Sequence, residues 1–158
     1  MKKTIIDLFE DSVVKYGAKT FLLEKKHRAF EPTTYAETRE QALETGAGLA
    51  AAGIRPGDKV AILSEGCNAW ITSELGVFYA GAVSVPLSVK LEESNDLLFR
   101  MRHAEVRALF VSKYQLSKIR RIRAELPQVE HIIVIGHTPL EAGETALGTL
   151  RRMGRDDR

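Results

Sequence analysis

The sequence predicts an α/β fold: a mostly parallel sheet flanked by helices, entered through an N-terminal helix and a β-hairpin. Three observations predict it. Short, nearly unbroken apolar runs recur at residues 60–63, 83–85, 108–111 and 132–135, which suits strands buried on both faces of a parallel sheet. Stretches with helical spacing lie between those runs, so strand and helix alternate from residue 34 onward. Glycine and proline mark the crossings, at Gly53, Pro56-Gly57, Gly81 and Gly136.

Taken in order, residues 4–16 form a first helix. Ile5, Leu8, Phe9, Val13 and Tyr16 recur at helical spacing, Thr4 can cap the start and Gly17 can end it. Two β-prone runs follow, 21–24 and 29–31, and the charged stretch Lys25-Lys26-His27-Arg28 joins them as a hairpin. Thr34 is an N-cap with Glu37 in the first turn. The helix it opens runs to about Ala52, with Ala42, Leu43, Ala47, Leu49 and Ala50 as a small-residue face for close packing. Gly53 stops it, and Pro56-Gly57-Asp58 turns the chain into the strand at 60–63. A helix over 68–79 leads through Gly81-Ala82 to the strand at 83–85. Further helices are expected near 93–103 and 116–126, each followed by a strand. After Gly136 the periodicity fades. The expected organisation is therefore one α/β unit over 1–136 (helix plus hairpin at 1–33, alternation at 34–136) and a poorly packed tail over 137–158.

A chain of 158 residues with 44% hydrophobic and 28% charged residues has an ordinary globular balance. The net charge of +2 is too small to argue for nucleic acid. Cys67 is the one cysteine, which excludes an internal disulfide and fits a reducing, cytoplasmic setting. Lys2 and Lys3 resemble the start of a leader, but Asp7, Glu10 and Asp11 interrupt any apolar core for it. The longest apolar stretch, 69–87, contains Glu74, Gly76, Gly81 and Pro86, which argues against a membrane span.

A search for chemistry finds little. There is no Gly-rich loop ending in Gly-Lys-Ser/Thr to hold phosphates. Residues 46–51 (Gly-Ala-Gly-Leu-Ala-Ala) match a loose dinucleotide pattern but fall inside a helix, where small residues serve packing. His27, His103, His131 and His137 lack zinc-ligand spacing, and His103 closes a helix as a favourable cation. Cys67 stands at a helix N-terminus, where a thiol can become nucleophilic, but a buried thiol is the favoured reading. Lys118, Arg120, Arg121 and Arg123 surround Leu116, Ile119 and Ile122; such a face can meet phosphates or a membrane, and a solvated helix face is favoured. Asp58 is read as fixing its turn and Trp70 as core. No catalytic, cofactor-binding or metal-ligating residue is assigned.

The stretch from Thr34 to Leu87 carries a resemblance. Thr34-Tyr35-Ala36-Glu37, then residues 48–62 (Gly-Leu-Ala-Ala-Ala-Gly-Ile-Arg-Pro-Gly-Asp-Lys-Val-Ala-Ile), resemble the opening of the adenylate-forming enzymes. These include acyl-CoA synthetases, luciferases and peptide-synthetase adenylation domains. Asn68, Trp70 and Glu74 followed by residues 79–87 (Tyr-Ala-Gly-Ala-Val-Ser-Val-Pro-Leu) extend the match. Leu63-Ser64-Glu65 with Trp70, together with the run Tyr79-Ala80-Gly81-Ala82, is most similar to long-chain fatty-acid CoA ligases. One departure is Gly66-Cys67 in a turn that is asparagine-rich in the family. The resemblance implies a parent enzyme that joins a fatty acid to ATP as an acyl-adenylate and then transfers the acyl group to coenzyme A, with Mg2+ present. It also implies that the residues doing this lie C-terminal to the matched segment. The chain is therefore expected to be an inactive N-terminal portion with no ligand of its own. Peripheral membrane contact and homodimerisation through the N-terminal helix and hairpin stay open. So do another adenylate-forming activity, and a non-enzymatic flavodoxin-like module using its strand ends near Ser64, Asn68 and Ser112.

Overall fold

The computed structural model describes residues 3–92 and 96–158. In chain order the elements are α1 (Ile5–Tyr16), β1 (Thr20–Lys26), β2 (Ala29–Thr34), α2 (Tyr35–Ala51), β3 (Lys59–Leu63), α3 (Asn68–Tyr79) and β4 (Val83–Leu87). There follow α4 (Leu98–His103), β5 (Val106–Ser112), α5 (Leu116–Ile122) with a 3-10 turn (Arg123–Glu125), β6 (His131–Ile135), β7 (Glu144–Ala146) and α6 (Leu147–Asp156). The expected helix near 93–103 is present over Leu98–His103, and residues 93–95 lie outside the described residues.

The main sheet has the order β4-β3-β5-β6-β7, and every adjacent pair is parallel. Its two faces are sorted residue by residue, as the alternation of side chains along a strand requires. Val60 and Ile62 of β3, Ala108 and Phe110 of β5 and Ile133 of β6 pack with Leu49 of α2, Val77 of α3 and Leu150 of α6. Ala61, Leu63, Leu109, Val111 and Val134 point the other way, onto Met101 of α4 and Leu116, Ile119 and Ile122 of α5. Both faces are thus dry, which explains why the strands read as continuous apolar runs. Each large side chain removed from water this way contributes about 1.5–3 kcal/mol.

Outside α2 and α3 sits a third cluster. Phe9 of α1, Ala42 and Leu75 are buried there, with Phe21 of β1 and Tyr35 packed against them. The Phe21 and Tyr35 rings lie 4.4 Å apart. This cluster fastens the antiparallel β1–β2 hairpin and α1 to the α/β body. Two capping boxes set helix entry: Thr4 with Asp7 for α1 and Thr34 with Glu37 for α2. Each satisfies backbone amides that the first turn leaves without partners, and is worth about 1 kcal/mol.

The expectation of a poorly packed tail is corrected. Residues 144–146 add the fifth strand to the sheet, and α6 buries Leu147, Leu150 and Gly154. The small residues of α2 make that contact possible. A Cβ on Gly48 would stand 2.2 Å from the Leu150 carbonyl oxygen, and one on Gly154 would stand 2.0 Å from the Glu44 carbonyl oxygen. The α2 and α6 backbones touch, which only glycine on both sides permits. The packing role read for the small residues at 46–51 is carried by Gly46 and Gly48 and serves two partners, since Gly46 meets Gly76 and Tyr79 of α3 in the same way. Of the face expected from Ala42, Leu43, Ala47, Leu49 and Ala50, only Ala42 and Leu49 are buried, and Ala50 is exposed.

Candidate functional site at the sheet switch point

The chain leaves β3 through α3 to place β4 on one side, then returns through α4 to place β5 on the other side of β3. Connections from β3 and β5 therefore diverge, and a crevice opens beyond their carboxyl ends. Open α/β sheets bind ligands at such a point. Here the crevice is a cleft of about 390 Å³ between the segments 64–69 and 112–114, closed on a third side by Ile135 and Gly136.

The hairpin supplies one wall. Glu24 of β1 lines the cleft and its Oε1 accepts from the Asn68 amide at 3.0 Å. Cys67 is the N-cap residue of α3 but gives no side-chain cap bond, so a carboxylate from another element caps the helix. Asn68 Nδ2 also donates to Thr33 Oγ1 at 3.3 Å, tying the α3 start to β2. The floor is Ser64 and Ser112, both buried. Ser64 Oγ donates to the Glu65 carbonyl at 3.0 Å and lies 3.9 Å from Cys67 Sγ. Across the crevice, Gln115 Nε2 donates to Glu65 Oε1 at 2.5 Å.

Burial alone would raise the Glu65 carboxyl. Ser112 and Gln115 outweigh it and hold Glu65 below its ordinary value. Ser112 Oγ nevertheless forms no well-shaped hydrogen bond among the described residues, and neither does Gln115 Oε1. The serine hydroxyl therefore favours the Glu65 charge without completing a well-shaped hydrogen bond to it. On the rim, Lys113 Nζ sits 5.1 Å from the Tyr114 ring centre.

The residues singled out in the sequence fall in different places. Cys67 is half-buried and lines this cleft. Trp70 is half-buried against the sheet cluster below it. Asp58 lies at the opposite end of the sheet, before β3. Its Oδ2 accepts from the Arg55 amide at 2.7 Å, which fixes the turn as expected, and from Arg107 Nη1 at 2.6 Å. The Arg55 amide first, and then Arg107, hold its carboxyl low. His103 ends α4 and stacks on Phe99 with ring centres 5.6 Å apart. His27 occupies the hairpin tip with a φ of 54°. Among the described residues no three His, Cys, Asp or Glu groups converge on a metal position.

Of the basic row, Lys118, Arg120 and Arg123 are committed to the fold, while Arg121 is exposed on the face expected to be solvated. Lys118 Nζ donates to the Val89 and Leu91 carbonyls, and Arg123 to the Leu126 carbonyl. Arg120 pairs with Glu144 at 2.8 Å. Among the described residues no helix is long and apolar enough to cross a membrane. Sequence reading did not single out Glu24 or Gln115. Their partners are 44 and 50 residues away, so no local spacing marks them.

A nucleotide triphosphate does not fit this cleft. Two carboxylates, Glu24 and Glu65, face a single lysine at its rim, and the α3 amide that would meet a phosphate already holds Glu24.

Comparison with known proteins adds an independent line. The model of the family described as AMP-binding enzyme matches residues 9–155. A long-chain-fatty-acid–CoA ligase of Thermus thermophilus is 29% identical over 145 residues, which is 90% of this chain and 27% of that protein. A chloroplastic long-chain-fatty-acid–[acyl-carrier-protein] ligase of Arabidopsis thaliana is 28% identical over 109 residues, 69% of this chain and 15% of that protein. The crystal structure of the anthranilate CoA ligase AuaEII with anthranoyl-AMP superposes with a TM-score of 0.85 at 28% identity, covering 93% of this chain and 27% of that one. The chain thus spans about a quarter or less of the length of these relatives.

Proposed function

Because the chain belongs to the AMP-binding enzyme family, we propose that it is the scaffolding N-terminal part of an ATP-dependent, AMP-forming acyl-CoA ligase acting on long-chain fatty acids. One observation carries this reading. The segment from Gly53 to Leu87, which resembles the family most closely, is the turn, buried strand, helix and second strand on which the sheet is founded. The similarity to fatty-acid ligases from a bacterium and a plant supports the choice of acid.

In this reading ATP, Mg2+ and coenzyme A are held by parts of the parent enzyme beyond these residues. What the chain contributes is rigidity. It fixes strand ends and helix starts on which the rest of an active site can be assembled. The expected result is that the 158-residue chain alone gives no fatty-acid-dependent ATP–pyrophosphate exchange. The longest product of the same reading frame should give exchange, with palmitate preferred to benzoate and acetate. Exchange by the 158-residue chain would overturn the scaffold reading, and preference for an aromatic acid would overturn the choice of substrate.

A further inference from the structure

We propose that the switch-point cleft is a binding site for a compact organic cation, a guanidinium or primary ammonium group. The inference does not depend on the acyl-ligase reading. Three features lead to it. First, the lining is acceptor-rich: Glu24 and Glu65 stand against one lining cation, Lys113, which lies out over the Tyr114 ring, while Lys118, which also acts on Glu65, is held by the Val89 and Leu91 carbonyls. Second, Ser112, only 4% exposed, lines the cleft with a hydroxyl that makes no well-shaped hydrogen bond among the described residues, Glu65 being the group it acts on. Buried polar atoms of this kind are normally satisfied, and an N–H donor in the cleft would satisfy the serine oxygen. Third, there is room. No atom lies within 4 Å of where a Cβ on Gly66 would stand, and about 390 Å³ accommodates a group of this size with a short aliphatic stem.

An anion is the poorer occupant. Of the two helices that open beside the cleft, α3 is already capped by Glu24 and α5 is only seven residues long. Glu65 stays anionic at neutral pH, so an incoming carboxylate or phosphate meets repulsion, while a guanidinium gains a charge-assisted hydrogen bond.

Cys67, the chain's single cysteine, lines the cleft and reports on it directly. Its modification rate can be measured with aminoethyl methanethiosulfonate, a cation, and with sulfonatoethyl methanethiosulfonate, an anion. Each rate is divided by that of free cysteine with the same reagent. The cation-to-anion ratio should exceed unity by about tenfold, the low end of electrostatic focusing in a charged cleft. Glu65→Gln should reduce the ratio several-fold, and Lys113→Gln, an exposed substitution, should raise it. Agmatine and the peptide acetyl-Gly-Arg-Gly-amide should slow modification, whereas neutral butanol should not. Protection by agmatine alone would identify a free small amine as the occupant, and protection by the peptide an arginine side chain. A ratio near unity, insensitivity to both variants, absence of protection by either cation, or a thiol unreactive to both reagents would each overturn the proposal.

Discussion

At the scale of single residues, two ion-bearing side chains behave in opposite ways. Glu144 is 4% exposed and holds Arg120 at 2.8 Å. The hydrogen bond from Arg120 is the main reason its carboxyl lies below the ordinary 4.5, with burial opposing. A carboxyl with a lowered folded value stabilises above its unfolded value and loses that contribution as pH falls through the folded one. Glu144→Gln should therefore cost about 2 kcal/mol at neutral pH. The gap from the unsubstituted protein should close as the pH drops below about 4.5, and urea titrations at stepped pH check both statements. Arg151 is the contrary case. It sits on α6, half-buried against α2 and α3, and donates to Thr45 Oγ1 at 3.1 Å, Gln41 Oε1 at 3.3 Å and Thr72 Oγ1 at 2.6 Å, all neutral acceptors. Burial lowers its affinity for the proton, and only distant Glu44 opposes this. Both threonine hydroxyls already donate to backbone carbonyls, so they keep partners without the arginine. Desolvation thus outweighs what the arginine gains. Arg151→Met should leave the urea midpoint unchanged or raised, while Arg151→Ala, which opens a cavity, should lower stability by about 2 kcal/mol.

At the scale of elements, the contact between α2 and α6 is the closest made at any described glycine. Gly154→Ala forces a methyl onto the Glu44 carbonyl and should cost about 3 kcal/mol. Gly148→Ala, on the same helix with open space at its Cβ, should be neutral or stabilise by up to about 1 kcal/mol through helix propensity. Equal effects in guanidinium denaturation would refute the close approach. This helix is also where sequence reading stopped short. The strands at 60–63 and 132–135 are legible because both faces of the sheet are covered, so every residue in them is apolar. In α6 only Leu147, Leu150 and Gly154 are buried, arginines occupy the flanks, and no side chain caps the start. So thin a stripe looks like a tail until α2, about a hundred residues upstream, is folded beside it. The cleft was half legible: Ser64, Asn68 and Ser112 follow from strand ends and topology. Glu24 reaches it through tertiary folding alone, as does the bond from Gln115 to Glu65.

At the scale of the whole molecule, α6 and β7 are integral to the body, because they cover Leu49 and shield β6. A chain ending at residue 143 should lose its cooperative thermal transition and bind a hydrophobic dye, whereas a merely dispensable end would leave the melt unchanged. The order of strands also has a consequence in time. As the protein is synthesised, β3 can pair with β4 early, but its other edge waits for β5, which begins at Val106, well after β3 ends at Leu63. At the ribosome, some 40 residues at ~5–20 per second amount to roughly 2–8 s. For that interval a strand that is buried at four of its five positions in the folded protein offers an unpaired backbone edge in the nascent chain. Translation speed between residues 63 and 106 therefore governs how long the protein can be captured by chaperones or by its own neighbours on a polysome.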